Sequence, residues 1–218
     1  MGSRTFEQWV EGIFDHEVAE PEWYWAEDAD PCIEANETNV EYLTRLFTHC
    51  DRVLANFDNA KIDQGLNFIA YGACSNHSYS ITHGTPSWPK RRACIRSIYD
   101  LYAKCFAVRC SEDLSHCDKV ENPLNGICYM WWDLLGGQRH SQDASSAEEA
   151  TEFIAVMERC LTLAHQACLE GSLHGLGHWH SYCPERVESI IDAFLHTQDS
   201  LRPELLAYAR RARIGAVQ

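Results

Sequence analysis

The chain has 218 residues, 45% hydrophobic and 23% charged, with 18 Lys and Arg against 32 Asp and Glu for a formal charge of −14. That is the make-up of one sizeable globular domain, and so acidic a chain is poorly suited to nucleic acid, whose phosphates must be neutralised. No apolar run approaches the roughly 18 residues of a membrane span, and the N-terminus lacks an apolar signal core, so a cytoplasmic protein without membrane contact is expected.

The acidity is uneven. Between Thr5 and Thr44 stand twelve acids and no Lys or Arg, whereas basic residues gather at Lys90-Arg91-Arg92 and around Arg210, Arg211 and Arg213. The eleven cysteines form no CxxC pair. Several fall on apolar helical stripes, where a free thiol acts as a small hydrophobe. Reduced, mostly buried cysteines are expected.

In chain order, Phe6, Trp9, Val10 and Ile13 share one face of a helix over 6–14. Pro21 and Pro31 frame an irregular acidic-aromatic stretch. Thr38 and Glu41 read as a capping box opening a helix that runs on to Phe57. A second helix covers about 61–74, and the Ser, Thr and Pro of 75–89 read as a loop. A third covers about 90–110. A fourth starts at Pro123 and ends at Gly136-Gly137. Ser146 and Glu149 suggest another capping box for a fifth. A sixth lies within Cys168–Cys183, a seventh opens at Pro184, and an eighth opens with Ser200 as N-cap.

Leu46-Phe47-x-x-Cys50, Leu101-Tyr102-x-x-Cys105 and Val156-Met157-x-x-Cys160 recur at equal spacing. Each is followed by a glycine-containing helix, with Asn67, Asn125 and His174 at similar places. Such a period predicts an all-α protein of about eight helices, stacked as a short right-handed α-solenoid of antiparallel pairs. A closed helical bundle is the alternative. Residues 1–37 would form an N-terminal helix and acidic cap, 38–196 the repeats, and 197–218 a capping helix, all in one domain.

The paired helices over Thr38 to Leu195 resemble HEAT and armadillo repeats in architecture, although they lack the usual proline and arginine punctuation. The phrases from Phe14 to Trp25, Tyr129 to Asp133, Leu173 to His180 and the C-terminal LLAYARRARIGAVQ resemble a family of uncharacterised bacterial proteins. That likeness implies a bacterial cytoplasmic setting and no particular activity.

Two candidate functions follow. One is a protein-interaction module, an immunity-type inhibitor or an adaptor for a basic protein or peptide. Its binding surface would be the inner-helix row of Asn67, Asn125, Trp131, His174 and His178, together with the acidic-aromatic patch of Trp23, Trp25, Glu27, Asp28 and Asp30. The other is a metal-binding protein or metal-dependent enzyme using His174, His178 and His180, with zinc as cofactor. His174 and His178 are four residues apart, the spacing at which a helix presents two zinc ligands. His180 lies roughly 200° around the helix from His178, and no glutamate base adjoins His174. Close helix packing at Gly171 and Gly175, with hydrogen-bonded histidines, is the favoured account of this stretch. A Cys/His loop (Cys110, Asp113, His116, Cys117, Asp118, with His77 and His83) is a weaker ligand source. No P-loop, nucleophile elbow or dinucleotide fingerprint occurs. The expectation is therefore a protein with no cofactor and no catalytic residue, unless zinc occupies the histidines.

Overall fold

The computed structural model describes residues 4–30, 32, 34–82, 85–136, 144–197 and 201–217. The described chain is helical and contains no strand.

α1 (Phe6–Phe14) starts at a capping box that the sequence reading did not single out. Thr5 accepts from the Gln8 amide, and the Gln8 side chain accepts from the Thr5 amide. It buries Phe6, Trp9, Val10, Ile13 and Phe14. A single 3-10 turn, Trp23–Trp25, lies between α1 and α2 (Asn36–Thr48). α2 begins two residues before Thr38. Glu41 forms no capping box there but receives Lys90 at 2.8 Å.

Four-residue α3 (Cys50–Val53) breaks what the sequence read as one helix. α4 (Asn59–Ala70) is capped by the Asp58 carboxylate. α5 (His77–Thr82) lies where a loop was expected. α6 (Trp88–Leu101) runs through a π-helical stretch, Tyr102–Phe106, into α7 (Ala107–Arg109). Then come α8 (Leu124–Gly136), α9 (Ala144–Cys160), α10 (Gln166–Trp179), α11 (Pro184–Thr197) and α12 (Pro203–Ala212). These short extra helices raise the count above eight. The expected N-cap at Ser200 lies outside the described residues; α12 starts at Pro203, with Arg202 at the N-cap position making no side-chain cap hydrogen bond.

The packing has two rows. α2 lies on α6 and α6 on α9, while α4 lies on α8 and α8 on α10. Ion pairs tie the first row. Lys90 reaches Glu37 and Glu41, Arg91 reaches Glu149, and Arg92 and Arg96 share Glu152. The basic run noted in the sequence is thus paired within the protein, and Glu149 receives Arg91, while α9 begins at Ala144, two residues before Ser146.

α10 is buried on every side but its last turn, with α8, α9, α11, α12 and the π stretch around it. Two glycines permit this. A Cβ at Gly171 would sit 2.4 Å from the Cys128 carbonyl oxygen, and one at Gly175 would sit 2.6 Å from Trp132 Cβ. All eleven cysteines are free thiols, Cys117 alone being exposed.

Candidate metal centre

The close approach of α8 to α10 brings Asp133 against His174 and His178. His174 and His178, one helical turn apart, place their Nε2 atoms 3.1 Å from each other. Asp133 Oδ1 lies 3.9 Å from His178 Nε2. Ligand atoms of all three fall within 4.8 Å of one another.

A first-row metal bound at about 2.0–2.1 Å to two imidazoles holds their nitrogens roughly 3 Å apart, so the histidine pair already has the required spacing. Asp133, at 3.9 Å, stands farther from His178 than two bound ligand atoms would. His178 and Asp133 are 35% and 33% exposed, so one side of the cluster opens to solvent. His174 is buried.

His174 is held from behind. Its Nδ1 lies 2.7 Å from the Tyr208 hydroxyl, which lies 2.8 Å from the Tyr129 hydroxyl, and the Tyr129 ring packs on the imidazole at 4.1 Å. Such partners fix the tautomer and orientation of a metal-binding imidazole. Between two neutral imidazoles one nitrogen must donate. With Tyr208 donating to Nδ1, His174 Nε2–H points at His178. Freeing that nitrogen for a metal makes Nδ1 the donor, and Tyr208 then donates to Tyr129.

Burial, followed by the charge of His178, lowers His174 to about 3. It is neutral at physiological pH. Burial raises both tyrosines, so both remain protonated donors.

A second polar cluster also packs on Tyr208. The His116 ring lies against the Tyr208 ring at 4.4 Å, tilted by 32°. Glu170, fully buried, accepts from the amides of Ser115 and His116 at 2.7 and 3.0 Å and from His116 Nδ1 at 2.5 Å. Glu170 thus pins the 110–118 loop to α10.

The remaining sequence candidates separate. His180 turns to Glu188, 3.3 Å away, as the helical angle required. Asn125 is buried and spends its amide on Ser111 and Asp113, and Trp131 packs in the core against Phe47 and Phe106. Asn125 and His174 are buried, so Asn67, Asn125 and His174 form no open row; Asn67 lines a groove.

In the Cys/His loop, Asp113 bonds Ser111, Asp118 pairs with Arg202 and His77 bonds Asn39 elsewhere. His83 lies outside the described residues. In the acidic patch, Trp23 stacks on His16 at 3.8 Å, Asp30 pairs with Arg4, and Trp25 stays 50% exposed near exposed Glu27 and Asp28.

Sequence reasoning missed Asp133. Its one signal was position, as a carboxylate closing the apolar run Tyr129–Trp132. It also missed Cys168, in the first turn of α10. A hydrogen bond from Cys128 holds that thiol below its usual value, burial opposes this, and His165 assists.

No known protein family, curated protein or solved structure matches the chain. No described helix is long and apolar enough to cross a membrane.

Proposed function

We propose that the protein binds a divalent transition metal, zinc foremost, through His174, His178 and Asp133. The carrying observation is the convergence of their ligand atoms within 4.8 Å, with His174 braced by Tyr208. Two histidines and one carboxylate leave coordination positions free, as catalytic rather than structural zinc sites do. Bound zinc would supply Lewis acidity at the solvent-facing side. His174 and His178 hold the ion, Asp133 adds negative charge, and Tyr208 and Tyr129 keep His174 in the binding tautomer.

The test is isothermal titration with Zn²⁺ and Co²⁺, alongside Co²⁺ absorption. One equivalent should bind wild type and His180→Ala, and should be lost in His178→Ala and Asp133→Ala. Absence of saturable binding, or equal binding by all four proteins, refutes the reading.

The two helical rows support an α-solenoid as the frame for this site. A second reading, a binding module for a basic peptide, is favoured by exposed Trp25 beside Glu27 and Asp28, neither of which has an ion-pair partner among the described residues. Titration with an oligolysine peptide should then be salt-sensitive and weakened by Trp25→Ala. Salt-independent binding, or none, refutes it.

A further inference from the structure

The flank of α8 that faces α4 borders a groove of about 450 Å³. That volume is in the range of small-molecule sites, roughly 300–1,000 Å³. From α8 it receives Gly126, Met130 and Leu134, which share one helical stripe; Asp63, Asn67 and Tyr71 stand opposite. Gly126 differs from the glycines of α10, since a Cβ built there meets nothing within 4 Å. Its bareness therefore serves no helix contact and keeps the groove open.

Asp63 is the one charged group among the lining residues. Asn67 donates to its Oδ1 at 3.0 Å. No Lys, Arg or His among the described residues pairs with it. The groups acting on Asp63 are few. Burial is the largest and raises its carboxyl to about 7, the Asn67 hydrogen bond opposes this, and Glu22 adds negative charge. Tyr24 is also near enough to feel Asp63. α8 brings no titratable side chain to the groove. A carboxylate set in an apolar wall without a counter-ion is costly to ionise, and a cation seated beside it removes that cost.

We propose that this groove binds an organic cation, a protonated amine carried on an apolar body. The ammonium lies against Asp63, beside the Tyr71 ring, and the hydrocarbon lies along Met130 and Leu134. A bare metal ion fits poorly, because one carboxylate and one amide supply too few oxygens. The proposal does not depend on the metal centre. Asp133 projects about 60° around α8 from the centre of the groove stripe, at 100° per residue, and lies outside the groove lining, so the two sites can be tested separately.

The experiment titrates the full chain, prepared metal-free, with benzylamine and with neutral benzyl alcohol, followed by amide NMR shifts at pH 6 and pH 8. Benzylamine stays protonated at both. The expected shifts centre on Asp63, Asn67, Tyr71, Gly126 and Met130. Binding should be about tenfold tighter at pH 8, because the carboxylate ionises through a value of about 7. Asp63→Asn should bind at least tenfold more weakly and lose the pH dependence. Gly126→Phe, which fills the groove, should bind neither ligand while melting no lower than wild type. The proposal is overturned by equal affinity for benzyl alcohol, by Asp63→Asn retaining wild-type affinity, by shifts located elsewhere, or by no saturable binding in the millimolar range.

Discussion

The phenol of Tyr208, on α12, reaches back across 34 residues to Nδ1 of His174, 2.7 Å away. One hydroxyl therefore links α12 to the proposed metal ligand on α10 and, through Tyr129, to α8. Tyr208→Phe keeps the ring and its contact with His116 but removes that link. Zinc affinity should fall 10–100-fold by calorimetry, the usual effect of losing a partner behind a ligand. Stability in urea should drop by about 1–2 kcal/mol. Unchanged zinc affinity would show that Tyr208 is a packing residue alone.

The glycines give a paired prediction. Gly171→Ala drives a methyl into the Cys128 carbonyl at 2.4 Å, a backbone atom that cannot swing aside. Overpacking of this kind costs about 1–3 kcal/mol. Gly126→Ala meets open space and replaces a poor helix former, so it should stabilise by about 0.5–1 kcal/mol. Thermal melts of the two variants should move in opposite directions. A shift of the same sign would contradict the packing described for α8 and α10.

Asp63 predicts a pH trend. Its carboxyl is raised to about 7 in the fold, against about 3.9 in an unfolded chain. Between those values the native state holds more protons, so stability contributed by this site is full at low pH and declines as pH rises. Asp63→Asn carries no such penalty. Its stability advantage over wild type should be near zero at pH 4 and reach on the order of 1–3 kcal/mol at pH 8. Denaturant titrations at both pH values measure this; an advantage that shrinks with rising pH would have the wrong sign.

Glu170 predicts a local effect. Its two oxygens accept the Ser115 and His116 amides. Glu170→Gln replaces one acceptor with a donor facing those groups, at about 1–3 kcal/mol for a buried mismatch. Hydrogen exchange at Ser115 and His116 should accelerate, while that of α2 and α6 should not change beyond the global loss of stability.

Helices held by apolar stripes were readable in advance. Phe6, Trp9, Val10 and Ile13 in α1, and Val187, Ile190, Ile191 and Phe194 in α11, announce their faces by spacing. α5 was read as a loop because its inward face is polar. His77, Ser78, Ser80 and Thr82 are buried, and Asn39 bonds the His77 ring and the Ser80 hydroxyl. Hydrogen bonding rather than hydrophobicity buries that face, and no periodicity of apolar residues records it. The site divided in the same way. His174 and His178 are neighbours along one helix, so their spacing could be read directly. Asp133 joins them only through packing of α8 on α10, a relation between distant segments. Asn125 looked like the counterpart of His174, yet its amide is claimed by the loop ahead of α8.

The enclosure of α10 has a consequence for the protein's synthesis. A ribosome emitting this chain releases α8 and then α9 before residues 166–179 emerge. Until then the surfaces of Trp132 and Met157 that receive Gly175 have nothing to lie against. The first row, α2 with α6, can assemble early, but the second cannot close. A chain released after Cys160 would leave that apolar surface uncovered. Stacked helical units can often be trimmed one at a time from an end. Here α10, late in the chain, is enclosed by five other elements, so shortening the chain from its C-terminal side should abolish folding rather than yield a smaller version of it.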